Sequence, residues 1–157
     1  MTGKTRLHDL IQAFAYPLDK ESKAKPLSPQ HWAMLDGYLT RVELKQGQTL
    51  FQRDRDERSL YLLESGRVTV HYENDKGTLR MGFVSPGSVF GEASFLGNMP
   101  RQAGATVAES GVAWALGRIK FMELYRREPD LGMAVVQMAA SILARRSRDA
   151  RRRRVIA

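Results

Sequence analysis

Hydrophobic residues follow a helical period at both ends of the chain and a strand period in the middle. Residues 6–16 place leucine, isoleucine and phenylalanine at helical spacing, which predicts a short amphipathic helix that ends before Pro17. The lysine-rich stretch 18–26 has no period and predicts an exposed connecting segment. After it, Ser28 is a good N-cap and Pro29 suits the first helical position, so a second helix is predicted there.

From Thr40 onward apolar and polar residues alternate, which is the pattern of a half-buried β-strand, and Gly47 interrupts it before a second short run. Further short apolar runs cover residues 60–63, 68–72, 79–84, 89–90, 105–108 and 112–116. Turn signals that can reverse the chain separate nearly all of them, at residues 54–56, Ser65-Gly66, 74–77, 85–87 and Ser110-Gly111. Many short strands joined by turns predict a compact barrel or sandwich of the jelly-roll kind.

The helical period returns in residues 118–127 and then in one long segment from Pro129 to about Arg152. The long segment carries an apolar stripe at three- and four-residue steps, formed by Leu131, Val135, Met138 and Ile142. Such a stripe either covers the body of the domain or pairs with a second copy of itself. The predicted fold class is mainly β with flanking helices: a double-stranded β-helix (jelly-roll) barrel in residues 28–157, after an N-terminal helix and linker in residues 1–27.

The composition is that of one globular domain. The chain has 157 residues, of which 43% are hydrophobic and 27% charged, and this length buries a core without disulfides or a metal. No apolar run approaches the roughly 20 residues of a membrane helix, and the N-terminus lacks the apolar stretch and cleavage site of a secretory signal. The expected location is therefore the cytoplasm, and the absence of cysteine is consistent with it.

The net charge of +8 is concentrated near the C-terminus. Residues 145–154 contain seven arginines and one aspartate, a net charge of +6, so the rest of the chain is nearly neutral. A terminal basic run of this kind is usually a solvated tail. The alternative is that these arginines contact a protein partner, nucleic acid or anionic lipid.

The residues that carry chemistry lie in the segment 87–103. Gly91 lets a ligand approach the backbone closely, and the residues just after it can begin a helical turn whose N–H groups point at an anion. The carboxylate of Glu92 is a strong acceptor for a sugar hydroxyl, and the fork of donors on Arg101 suits a phosphate. A carboxylate and a guanidinium separated by one short loop form a bipolar site, which a ribose cyclic phosphate fits.

This segment contains Phe90-Gly91-Glu92 and, nine residues after the Glu, Arg101-Gln102-Ala103. In this it resembles the phosphate-binding cassette of the cyclic-nucleotide-binding domain family, which includes bacterial catabolite activator proteins and the regulatory subunits of protein kinase A. The likeness covers about residues 30–147. Its other motifs are the strand and glycine turn at 60–68, Ser85-Pro86-Gly87, and the helix starts near Phe121 and Pro129-Asp130.

The resemblance implies how a ligand is held within the cassette. By this likeness, Gly91, Glu92 and the backbone N–H of Ala93 hold the ribose, and Arg101 holds the phosphate. One residue departs from the family pattern, because the family generally has a small Ser, Thr or Ala where this chain has Gln102. A backbone contact survives that change, but the larger side chain narrows the pocket and bears on which nucleotide binds and how tightly.

The resemblance also implies a role for the two C-terminal helices, which correspond to the hinge and lid helices of the family. Family members cap the base of the nucleotide with a residue on the lid helix. Arg146 and Ser147 fall near that position in this chain. They complete the set of predicted ligand-binding residues.

A metal centre and a catalytic site are the main alternatives for a jelly-roll domain. A metal centre needs clustered inward-facing ligands, but His8 and His31 lie in the predicted N-terminal helices and only His71 lies in a strand. No arrangement of serine, histidine and acid is evident, and the lack of cysteine excludes a thiol nucleophile. The sequence therefore predicts a module that is not an enzyme and uses no cofactor or metal.

The leading hypothesis is a sensor whose ligand is cyclic AMP, or cyclic GMP as the second choice, and whose C-terminal helices close over the base. The first alternative is a DNA-binding regulator of the catabolite-activator type, which would carry a helix-turn-helix after the long helix, whereas this chain ends at Ala157. The second alternative is a ligand-free interaction module of the same fold, which dimerises through the apolar stripe of its long helix.

Overall fold

The structure is a computed structural model that describes residues 5–19, 24–73 and 79–156. Its helices are α1 (His8–Ala15), α2 (Pro29–Leu35), a short 3-10 helix (Asp36–Tyr38), α3 (Glu92–Gly97), α4 (Arg118–Arg127) and α5 (Pro129–Ile156). Its strands are β1 (Thr40–Leu44), β2 (Thr49–Phe51), β3 (Leu60–Glu73), β4 (Leu79–Val84), β5 (Val89–Phe90) and β6 (Gly104–Leu116). The strands pair antiparallel in the order β1-β6-β3-β4, with β2 also on β6 and β5 also on β3. The predicted class, mainly β with flanking helices, is confirmed.

Strands β3 and β6 are each one long strand where the sequence pattern predicts two. The predicted turns at Ser65-Gly66 and Ser110-Gly111 are therefore wrong. The two dipeptides lie close together across the strand pair, where the Val112 N–H donates to Ser65 Oγ at 2.9 Å and the pairing register shifts. Gly66 has a φ of +85°, and a Cβ there would lie 2.5 Å from a carbonyl oxygen of β6. The strands bulge at these residues, so the chain bends there instead of reversing.

Two hydrophobic cores support the sheet. The core inside the barrel consists of Leu44, Leu63, Val68, Val84, Phe90, Ala105, Val107 and Ala113. The second core lies between the sheet and the helices, where Leu10 of α1, Trp32 of α2 and Trp114 of β6 are all buried. Both predicted N-terminal helices are confirmed, and Ser28 caps α2 as predicted, because its hydroxyl accepts the His31 N–H at 3.1 Å.

The predicted connecting segment 18–26 is not exposed along its whole length. Among its described residues, Ala24 is buried in the helix-side core. Lys25 contacts α5 twice: its backbone N–H donates to Ser141 Oγ at 3.0 Å and its ammonium donates to Gln137 Oε1 at 2.7 Å. The prediction of an exposed segment is therefore wrong at this end, because α5 supplies partners that local sequence cannot reveal.

Helix α5 packs along the domain through its predicted apolar stripe. The side chains of Leu131, Val135, Met138 and Ile142 are all buried in the helix-side core. These residues therefore cover the body of the same chain, and pairing of two chains through them is wrong because they leave no surface for a second copy. Beyond Arg148 only the backbone of α5 is described, so most of the arginine run lies outside the described side chains. No helix among the described residues combines the length and the apolar character that a membrane span needs.

Candidate ligand-binding site

The cassette forms one wall of a pocket through a strand, a glycine and a short helix. After β5, Gly91 adopts a left-handed φ of +77° as the N-cap of α3, and Asn98 ends α3 with a φ of +53°. The pocket holds about 400 Å³ of space, counting its open mouth. It is lined by Phe51, Val70, Tyr72, Phe90, Gly91, Glu92, Ala93, Ser94, Arg101, Gln102, Ala103 and Arg146.

The structure brings eight of the nine predicted site residues to this pocket. They are Phe90, Gly91, Glu92, Ala93, Arg101, Gln102, Ala103 and Arg146. Ser147 is exposed on α5 and is not part of the lining. Phe51, Val70 and Tyr72 are lining residues that the sequence analysis did not single out, because strand alternation shows that one face is inward but not which inward residues meet a ligand.

Arg101 lies beneath the pocket with all five of its N–H groups in hydrogen bonds. Its side chain is only 1% exposed. Nη1 donates to Gly91 O at 2.9 Å and to Ser94 Oγ at 2.7 Å, and Nη2 donates to Ser59 O at 2.7 Å. The carboxylate of Glu57 accepts from both Nε and Nη2. The guanidinium is thus fully satisfied, which makes burial of its charge tolerable.

Gly91 is required by the position of this guanidinium. A Cβ on Gly91 would collide with Arg101 Nη1 and would lie 2.9 Å from Ser59 O. The positive φ adds a second constraint, because side chains other than glycine rarely adopt it. The glycine that the sequence marks for close ligand approach therefore also makes room for the arginine.

Glu57 is the charged partner of Arg101 that the sequence analysis missed. It lies in the β2–β3 loop, where charges of both signs alternate and the pattern predicts only a turn. Burial alone would raise the pKa of the Glu57 carboxyl, but hydrogen bonds from Ser59 and Arg101 outweigh burial and lower this pKa below its ordinary value of 4.5. The contact joins residues 44 positions apart, so no local signal indicates it.

An aromatic cluster supports the same guanidinium from the barrel side. The rings of Tyr61 and Phe90 stack with their centroids 4.9 Å apart, and Phe51 stacks against Phe90 at 6.3 Å. The guanidinium carbon of Arg101 lies 4.0 Å from the centroid of the Phe51 ring, which is a cation–π contact. Burial raises the pKa of the Tyr61 phenol, and the nearby Glu57 charge raises it further, so this ring stays neutral.

Glu92 and Arg146 form an ion pair across the other side of the pocket. Nη1 of Arg146 lies 2.7 Å from Glu92 Oε1, and Nη2 donates to Val89 O at 2.7 Å. The resemblance assigns these two residues to the ribose and to the base, and the structure instead brings them into direct contact. Gln102 contacts its own loop, because its side-chain amide donates to Pro100 O at 2.9 Å.

The histidines are dispersed, as the sequence indicates. His8 lies in α1, His31 lies in α2, and His71 lies in β3 with its Nε2 3.3 Å from Thr106 Oγ1. Among the residues that the structure describes, no group of three or more histidine, aspartate or glutamate side chains is arranged to hold a metal ion. The charged side chains that line the pocket are the Glu92 carboxylate and the guanidinium groups of Arg101 and Arg146, beside aromatic rings.

The sequence is similar to a known domain family and to curated proteins. The family model described as "Cyclic nucleotide-binding domain" matches residues 41–128. A Thermus thermophilus protein named "Cyclic AMP receptor protein" is 33% identical over 125 residues, which make up 79% of this chain and 56% of the relative. This chain therefore spans little more than half the length of that receptor.

Solved structures give the same result for the fold. The crystal structure of the Thermus thermophilus Catabolite Activator Protein matches with a TM-score of 0.68 and 30% identity, over 83% of this chain and 60% of that one. The crystal structure of a cyclic nucleotide-binding domain from Methylobacillus flagellatus KT matches with a TM-score of 0.77 and 22% identity, over 91% of this chain and 83% of that one. At that lower identity the second match bears on the fold alone.

Proposed function

The chain belongs to the cyclic nucleotide-binding domain family, and we propose that it is a sensor that binds cyclic AMP, or cyclic GMP as the second choice, without catalysis. The observation that carries this proposal is that Glu92 and Arg101 line one pocket together with Gly91. A carboxylate for a ribose hydroxyl and a guanidinium for a phosphate are the groups that such a ligand requires. The name of the Thermus relative supports the choice of cyclic AMP.

Phosphate binding would replace some of the hydrogen bonds that Arg101 makes within the chain. Nη1 donates to Gly91 O and Ser94 Oγ, which belong to pocket-lining residues. Glu57 and Ser59 hold Nη2 and do not line the pocket. A phosphate oxygen can therefore replace the neutral acceptors at Nη1 while Glu57 keeps the guanidinium in place. The exchange is favourable because hydrogen bonds between charged groups are stronger than those to neutral acceptors.

The signal would pass from the cassette to the C-terminal helices through aromatic packing. Phe95 of α3 meets Phe121 of α4 edge-on with the ring centroids 5.0 Å apart. Tyr125 of α4 in turn contacts Gly132 of α5, where an added Cβ would lie 2.8 Å from the tyrosine ring. A shift of α3 on ligand binding thus reaches α5 through packed rings, provided that the ligand prefers one arrangement of the helices.

Calorimetric titration of the folded, nucleotide-free chain with cyclic AMP and cyclic GMP tests this proposal. We expect micromolar or tighter binding of cyclic AMP. Arg101→Lys keeps the charge but loses the planar fork, so it should weaken binding by about tenfold or more. Arg41→Lys, an exposed position on β1, is the matched control and should bind as the wild type does. Absence of heat from both nucleotides would overturn the proposal.

We also propose that two copies of the chain pair through α5, by a face different from the predicted one. The outward face of the helix carries a second apolar stripe, formed by the exposed residues Met133, Ala140 and Leu143, with Val136 half-buried at its edge against the helix-side core. Met133 is 54% exposed and Leu143 is 37% exposed. The three- and four-residue steps of this stripe are the pattern of a two-stranded coiled coil, and a two-fold pair would bury it.

The dimer proposal is tested by the mass of the particle in solution, measured by light scattering. Leu143→Glu places a charge in the stripe and should give a monomer that remains folded. Met81→Glu adds the same charge at an exposed apolar residue of β4 and should leave the mass unchanged. A wild-type chain that is already monomeric at high concentration would refute pairing through α5.

A contact between the arginine run and nucleic acid or a protein partner stays a prediction. If nucleic acid is the partner, affinity should fall steeply with added salt, because each neutralised phosphate releases counterions. Deleting residues 151–154 should abolish binding. Insensitivity to both changes would remove nucleic acid as a partner of this segment.

A further inference from the structure

We infer that the Glu92–Arg146 ion pair is a strap that holds α5 against the cassette before any nucleotide binds. One arm of the guanidinium lies 2.7 Å from the Glu92 carboxylate and the other donates to Val89 O at 2.7 Å. A single side chain of α5 thus engages both β5 and the first residue of α3. The Glu92 side chain is only 9% exposed and that of Arg146 is 28% exposed, so solvent screens this pair only in part.

The strap lies just beyond the part of α5 that buried apolar side chains hold against the domain. Ile142 is the last buried apolar residue among the described side chains of α5, and Arg146 follows it by one helical turn on the same face. From Arg145 onward the sequence is rich in arginine and offers little apolar surface to the barrel. The charge-assisted hydrogen bonds of Arg146 therefore hold one further turn of α5 against the barrel, beyond the last turn that is held by buried apolar residues.

The strap also links helix position to the ligand site, and this step rests on the proposed function. Arg146 contacts Oε1 of Glu92, and we assign Oε2 to the ribose hydroxyl. One carboxylate then serves both the docked helix and the nucleotide. In this arrangement Arg146 is a positioning residue that orients Glu92. This role differs from the base-capping role that the family resemblance predicts.

Hydrogen–deuterium exchange of the ligand-free chain tests the strap directly. The readout is the exchange rate of the backbone amides in residues 140–148, which reports local opening of the helix. Arg146→Gln and Glu92→Gln should each speed this exchange by about tenfold. Arg126→Gln removes the same charge from an exposed position of α4 and should change the rate by less than about twofold.

A double variant separates the strap from a general loss of stability. If the two residues act on α5 through each other, Glu92→Gln combined with Arg146→Gln should exchange no faster than Arg146→Gln alone, which also loses the contact with Val89 O. Additive effects, or rates equal to the wild type in both single variants, would overturn the inference. These measurements need no nucleotide, so a wild-type chain that shows the strap but does not bind cyclic AMP would contradict the proposed function alone.

Discussion

Arg101 and Arg146 line the same pocket from different elements, the first on the loop after α3 and the second on α5. Arg101 is 1% exposed with all five donors satisfied and an aromatic ring against its face, whereas Arg146 is 28% exposed with two contacts. The first arginine is part of the folded core, and its geometry is set by the whole barrel. The second depends on where α5 lies. The buried Arg101 therefore suits a fixed anion site, and the partly exposed Arg146 suits a contact that changes with the position of α5.

Replacing Arg101 should destabilise the folded chain strongly. Arg101→Met removes the charged partner of the Glu57 carboxylate and the N–H donors of Ser59 O and Ser94 Oγ, so we expect the free energy of unfolding to fall by about 3 kcal/mol. Urea denaturation followed by circular dichroism measures this change. A loss below about 1 kcal/mol would mean that the five contacts contribute little to the fold.

A substitution at Gly91 tests the space between the cassette backbone and the Arg101 guanidinium. Gly91→Ala should destabilise the chain by about 2 kcal/mol, because the new Cβ meets Arg101 and Ser59 while the positive φ is strained for alanine. Gly82→Ala on β4 is the matched control, since its Cβ would have no atom within 4 Å and its φ is not positive. Equal stabilities of the two variants, again from urea denaturation, would argue against a crowded guanidinium.

The same change at Arg146 should have a smaller effect on stability. Arg146→Met should lower the free energy of unfolding by only about 1 kcal/mol, because the pair it breaks is partly exposed and the helix stays anchored by its buried stripe. The urea unfolding curve measures this change beside that of Arg101→Met. A loss as large as that of Arg101→Met would place both arginines in the folded core and remove the distinction between them.

Glu57 should contribute a modest pH dependence to the stability of the chain. Because its pKa in the folded chain lies below 4.5, its stabilisation is present above about pH 4.5 and is lost as the pH falls through the folded pKa. The melting temperature of Glu57→Gln should therefore fall less than that of the wild type between about pH 6 and about pH 3. Glu43→Gln, an exposed strand residue, should keep the wild-type slope. Parallel slopes for all three proteins would count against the Glu57–Arg101 contact.

Local patterns were enough to predict the helices, most strand residues and the cassette. Capping of α2 by Ser28 depends on a residue three positions away, and the segment from Phe90 to Ala103 is continuous in the chain. Eight of the nine predicted site residues meet in one pocket for this reason, since most of them lie within one strand–helix–loop unit. The exposed position of Ser147 shows the limit, because a one-residue step along α5 turns a side chain away from the pocket.

Local sequence is sufficient to identify the residues whose chemistry suits an anion and a hydroxyl, and the stripe of α5 that is apolar enough to be buried. The folded structure, in contrast, sets which charges are neighbours, as with Glu57 beneath Arg101 and Arg146 beside Glu92. It also decided that Ser65-Gly66 bends a strand instead of ending it. The physical reason is the same in each case. Backbone preference and amphipathic period act over a few residues, whereas ion pairs and strand register join positions that only the closed barrel brings together.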